Sequence, residues 1–200
     1  PKRLPPARFR RNLQQQAEAL SGFRRCDLSP QTRNSPQSPS SRVVGSLRMR
    51  LALFQPDIPQ NLGAAIRLGA CLGAEIDVIE PCGFPLSNPA LKRAALDYGP
   101  LSKVKRHSSW SSFLSELDRD QGRLVLFTTQ SAVPFQTFDF SAGDTLLFGR
   151  ESAGAPPEVH EAAQARLYIP LQNGARSLNL VTAAAMALCL ATERTGGWAG

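Results

Sequence analysis

Two short apolar runs, each stopping abruptly in a polar loop that carries glycine, constrain this chain more than any other feature. Residues 146–154 (Leu-Leu-Phe-Gly-Arg-Glu-Ser-Ala-Gly) read as a strand that ends in a Gly-rich loop with one acidic residue. Residues 169–180 (Ile-Pro-Leu-Gln-Asn-Gly-Ala-Arg-Ser-Leu-Asn-Leu) close a short strand over 166–169 at Pro170 and run into an Ala-rich apolar helix. Ser177 stands where a helix N-cap would, so that helix is expected over 177–195. Such loops offer backbone amides to a ligand, and two of them close in sequence can form one pocket. Taken singly, each is an ordinary strand-loop-helix connection.

The same alternation runs through the rest of the chain. An apolar strand is expected over 47–54, a helix carrying Arg67 over 62–72, and a strand over 74–79. Pro56 and Pro59 argue against a regular element in 55–63 and give that loop a fixed shape. Further on, a short helix is expected over 91–95, a strand over 101–106 and a helix from 111 to 117. Strands follow over 123–128 and 144–148. This is an α/β pattern: an open, mostly parallel sheet of five or six strands with helices on both faces. A dinucleotide site is a poor fit, because Gly63, Gly69 and Gly73 do not make G-x-G-x-x-G and prolines occupy the turn where glycines should stand.

Charge divides the chain at about residue 50. Up to Arg50, eleven Lys or Arg face only Glu18 and Asp27, a surplus of +9; from Leu51 onward, twelve face fourteen acids, leaving −2. Residues 1–48 are rich in Pro, Ser, Gln and Arg, and only 12–23 has helical character. They read as a basic low-complexity leader outside the core, the body being 49–200. The leader is either an RNA-gathering or transit-like arm, or sequence preceding a natural start at Met49. No apolar run is long enough for a membrane span, and a soluble, cytoplasmic protein is expected. Cys26, Cys71, Cys82 and Cys189 form no C-x-x-C pair and have no nearby His, so thiols rather than a metal set are expected, Cys71 and Cys189 packed in helices. His107 and His160 have no partner identifiable from sequence.

Four stretches, taken in order and spacing, resemble the motifs of the SPOUT methyltransferases: residues 61–67 (Asn-Leu-Gly-Ala-Ala-Ile-Arg), 96–98 (Leu-Asp-Tyr), 148–154 and 169–179. The resemblance runs from Met49 to about Trp198, and is to the tRNA 2′-O-methyltransferase group that modifies wobble nucleotide 34. It implies a C-terminal deep trefoil knot, S-adenosylmethionine as cofactor, a tRNA substrate, a homodimer with shared tRNA sites, and no metal. The cofactor pocket would be made by Phe127, Gly149, Glu151, Ile169, Ser177 and Leu178. Gly149 would admit close backbone approach to the adenosine, with a simple turn as the plainer reason.

Arg67 falls at the family's catalytic arginine, with Asn61, Ser177 and Asn179 completing its shell. A guanidinium is always protonated under ordinary conditions, which favours phosphate holding and charge stabilisation over general-base work. Glu151 would either favour a sulfonium by its charge or cap a helix and pair with Arg176. RNA phosphate contacts are expected from Arg67, Lys92, Arg93, Arg150 and Arg176, with Lys103, Lys105 and Arg106 as further candidates; each is otherwise a solvated surface cation. Arg150 stands where the family often has Pro, and Ala155 where it often has Leu. The alternatives are 2′-O-methylation of rRNA or of another tRNA position, and a non-catalytic RNA-binding module.

Overall fold

The computed structural model describes residues 49–87, 89 and 104–197, all within the unit Val44–Gly200. The leader 1–48, the expected helix over 91–95, the motif at 96–98, and Lys92, Arg93 and Lys103 lie outside the described residues.

Among the described residues, six strands form one sheet: β1 (Arg50–Phe54), β2 (Glu75–Ile79), β3 (Val104–His107), β4 (Leu124–Phe127), β5 (Thr145–Phe148) and β6 (Ala165–Leu167). Their order is β3-β2-β1-β5-β4-β6, and every pairing is parallel. The central strands are buried on both faces, which is why β1, β4 and β5 read as unbroken apolar runs instead of alternating ones.

Among the described residues, four helices cover the sheet: α1 (Pro59–Leu72), α2 (Trp110–Asp120), α3 (Pro157–Ala162) and α4 (Leu180–Arg194). On one face, Leu62, Ala65 and Ile66 of α1 and Ala184, Ala187, Leu188 and Ala191 of α4 join Leu51, Leu53, Val78 and Leu146. On the other, Phe113 and Leu117 of α2 and Val159 of α3 pack with Ala52, Phe54, Leu126 and Leu147. Each fully buried Leu here contributes roughly 1.5–3 kcal/mol over its exposed state.

Local chemistry moved several boundaries. Pro59, expected to exclude regular structure, is instead the first residue of α1, where its missing N–H costs nothing and its fixed φ suits a helix. The last helix starts at Leu180, capped by Asn179 and not by Ser177: the Asn179 side-chain oxygen accepts from Val181 N at 2.9 Å and Thr182 N at 3.3 Å. Cys71 and Cys189 lie on helices as expected but are exposed, because they fall on the faces turned away from the sheet.

Because all six strands are parallel, their carboxyl ends share one edge of the sheet. The chain leaves β1 for α1 on one face and leaves neighbouring β5 for α3 on the other. That divergence opens a crevice between two adjacent strand ends, the usual place for a ligand in an open α/β sheet.

Candidate active site

A cleft of about 490 Å³ occupies this edge, lined by residues that follow β4, β5 and β6 together with the start of α1. All six residues expected to hold a cofactor line it: Phe127, Gly149, Glu151, Ile169, Ser177 and Leu178. So do Asn61, Asn179 and Arg150. Its volume falls within the range of pockets that enclose drug-sized ligands. Phe127 stacks on Phe148 with ring centroids 4.9 Å apart and planes 11° from parallel, so the two strand ends meet in a flat aromatic pair at the cleft.

The loop after β5 is a closed turn. Arg150 N donates to Gly154 O at 3.0 Å, and Gly154 N returns a bond to Arg150 O at 2.8 Å, with Gly154 at φ 71°. Gly149 is required by this turn: a Cβ there would stand 2.5 Å from Ala155 N and 2.8 Å from Gly154 O. The constraint on Gly149 therefore comes first from its own chain, the plainer of the two reasons considered for it.

A directional relay of side-chain hydrogen bonds joins three of the motif segments. Asn179 presents its oxygen to the first amides of α4, which turns its NH₂ outward to donate to Asn61 Oδ1 at 3.0 Å. Asn61 in turn donates from Nδ2 to Glu151 Oε1 at 3.0 Å, and Asp57 N donates to Glu151 Oε2 at 2.9 Å. An ionised carboxylate only accepts, so Glu151 fixes the orientation of both amides along the chain. Glu151 is thus bound to α1 and its preceding loop, not used as a helix cap. Burial, followed by the neighbouring carboxyl of Asp57, raises the Glu151 pKa above its ordinary value. Asp57 is shifted down by its hydrogen bond with Glu151 and, against some burial, by its bonds from Ser152.

The expected cations separate. Arg150 lines the cleft, its Nη1 3.5 Å from Gln55 Oε1 and its Nε 3.9 Å from Asp57 Oδ2. Arg67 and Arg176 are exposed and do not line the cleft, Arg67 being on the solvent side of α1. Lys105 pairs with Glu116, and Arg106 with Glu80 at 2.7 Å, so these two are engaged in ion pairs. Among the described residues, no group of three or more His, Cys, Asp or Glu is placed to hold a metal. No described helix is long and apolar enough to cross a membrane.

Sequence reading missed two features. Asp57 was passed over inside its proline-rich loop, although an acid between Pro56 and Pro59 was the available signal. The second is a sealed cluster under α2. Asp77, fully buried, accepts from Arg50 Nε at 2.9 Å and Nη2 at 2.8 Å and lies 2.7 Å from His107 Nε2. Burial would push the Asp77 carboxyl up, but the bonds from His107 and Arg50 outweigh it and hold the pKa below the ordinary value.

The model of the SpoU rRNA methylase family matches residues 48–189. A tRNA (cytidine(34)-2'-O)-methyltransferase of Ancylobacter novellus is 48% identical over 154 residues, covering 76% of this chain and 97% of its own. A solved structure described as giving structural insights into the 2-OH methylation of C/U34 on tRNA is 40% identical, with a TM-score of 0.71 over 77% of this chain and 100% of that one. An AdoMet-bound rRNA methyltransferase from Sinorhizobium meliloti is 29% identical, with a TM-score of 0.64 over 73% of this chain and 56% of that one.

Proposed function

The chain belongs to the SpoU rRNA methylase family, and on that premise we propose that it methylates the ribose 2′-hydroxyl of the wobble nucleotide, cytidine or uridine 34, of tRNA. The enzyme class and the S-adenosylmethionine cofactor follow from the family and from relatives named for this reaction. The observation that carries the reading to this chain is the Asn179–Asn61–Glu151 relay, which ties three motif segments around one cleft.

The residues present fit the cofactor. The cleft is large enough for a nucleoside, Ile169 and Leu178 give it apolar walls, and Glu151 supplies a carboxylate to face a cation. When bound, S-adenosylmethionine supplies a methyl group on a sulfonium. The chain's own task is alignment of a weak nucleophile and stabilisation of the charge that develops on it. Arg67, always protonated, is assigned to the substrate phosphate and the developing alkoxide. Its exposed place outside the cleft suits contact with bound RNA more than with cofactor. Ser177 and Asn61 line the cleft between these partners, and Arg150 and Arg176 flank it as phosphate contacts.

We further assign residues 49–200 as the methyltransferase body, with the C-terminal segment threaded in a trefoil knot, and a homodimer as the working form. The knot is supported by family membership and by the likeness to the solved structure described for C/U34 methylation. The homodimer is supported by Arg67 standing apart from the cleft of its own chain, as a tRNA site shared between protomers would require. A cytoplasmic setting is proposed on the strength of the tRNA substrate alone.

The test is methyl transfer from labelled S-adenosylmethionine to a tRNA carrying a 2′-deoxynucleotide at position 34. The proposal expects an unmodified tRNA to accept label and the deoxy tRNA to accept none. Equal labelling of both would move the methylated ribose elsewhere.

A further inference from the structure

The loop between β1 and α1 carries one acid, Asp57, on which three consecutive residues of the β5–α3 loop converge. Arg150 Nε lies 3.9 Å from Asp57 Oδ2. Glu151 Oε2 accepts from Asp57 N at 2.9 Å. Ser152 approaches Oδ2 twice, through its N–H at 3.4 Å and through its hydroxyl. From the opposite side, Gly83 N donates to Pro56 O at 2.9 Å, and a Cβ on Gly83 would come within 2.8 Å of Asp57 Cβ. The loop after β2 therefore backs Asp57 and leaves it little room to retreat.

A carboxylate beside Glu151 carries a cost, since two like charges so close oppose each other. Solvent would serve Ser152 equally well if the contact only satisfied a surface hydroxyl. What the arrangement achieves is geometric. Oε2 of Glu151 is held from the Asp57 backbone and Oε1 from Asn61, so both oxygens are pinned by the segment that begins α1. The Asp57 side chain then fastens the next residue, Ser152, so that the turn bearing Glu151 cannot swing away from those donors.

We propose that Asp57 is a positioning residue for the cofactor site: by clasping Ser152 it holds Glu151 in the orientation in which Glu151 binds the cofactor. This rests on the functional reading above, with Asp57 acting only through Glu151.

The test is a double-mutant cycle of Asp57→Ala and Glu151→Gln, read by isothermal titration of S-adenosylmethionine into the full chain. A hydrogen bond to a charged carboxylate supports roughly a tenfold weakening for Asp57→Ala. Because the aspartate acts through the glutamate, the double variant binds no more than about twofold worse than Glu151→Gln alone, the two losses being coupled. Losses that multiply, or an Asp57→Ala affinity equal to wild type, overturn the proposal. Ser152→Ala removes the clasp without touching the acid, and serves if Asp57→Ala does not fold; it is expected to weaken binding in the same coupled way.

Amide hydrogen exchange without cofactor gives an independent arm. Exchange at the Ser152 amide rises in Asp57→Ala, and exchange at the Asp57 amide rises in Ser152→Ala as Glu151 loosens. Unchanged exchange at both amides refutes the clasp. Wild-type protein that binds no S-adenosylmethionine but shows these exchange changes would instead refute the cofactor reading and leave the clasp standing.

Discussion

Two polar networks, one formed by buried strand residues under α2 and one at the carboxyl edge of the same sheet, are built for different ends. Under α2, Arg50, Asp77 and His107 form a sealed cluster: Asp77 is fully buried, and each of its oxygens is met by a donor from β1 or β3. At the carboxyl edge, Asp57, Asn61, Glu151 and Asn179 form an open chain that faces a cleft and joins loops instead of strands. The first binds strands β1, β2 and β3 around a buried acid, with Arg50 reaching on to half-exposed Asp120 at 2.8 Å, so it serves the fold. The second runs along a cleft that Asn61, Glu151 and Asn179 line, so its members can meet a ligand. Burial and charge alone do not mark a functional site; what matters is whether the network lines a cavity.

The largest expected effect is on the sealed side. Asp77→Ala leaves the Arg50 guanidinium buried without its main partner and should cost about 3–5 kcal/mol of stability, measured by denaturant unfolding. Below its lowered melting temperature the variant should still bind S-adenosylmethionine with wild-type affinity. Loss of binding by folded protein would erase the distinction between the two networks.

Next comes Arg67→Ala, expected to lower methyl transfer about a hundredfold or more, on the scale of removing one charge-stabilising donor. Cofactor affinity by titration should stay within about twofold, because Arg67 does not line the cleft. A collapse of cofactor binding would make Arg67 structural. Asn179→Ala bridges the two behaviours: it removes an N-cap worth about 1 kcal/mol and also cuts the relay. Melting should fall slightly while cofactor affinity falls more.

The smallest effect is on acid stability. Asp77 has a folded-state pKa below its unfolded value of about 3.9. Its contribution is therefore fully present above that unfolded value and is lost as pH falls through the folded one. Stability measured between pH 5 and pH 2 should decline in wild type, and decline less in Asp77→Asn.

Much of this was legible in the chain. Unbroken apolar runs such as Leu124–Phe127 mark doubly covered parallel strands, and the two glycine-bearing loops after β5 and β6 do meet at one cleft. Capping was misjudged because Ser177 and Asn179 are both good N-caps, and only the path of the loop decides which oxygen reaches the first amides. Asp57 and His107 were invisible as partners because their contacts are 94 and 30 residues distant in sequence. Pairing across that separation is a property of strand order, which local pattern does not carry.

The most direct measurement is nucleoside mass spectrometry of tRNA after incubation with the purified protein and labelled S-adenosylmethionine, with digestion that localises the label. The account predicts a single labelled methyl on the 2′-oxygen of cytidine or uridine 34. Label on a base, on another tRNA ribose or on no RNA at all would contradict it.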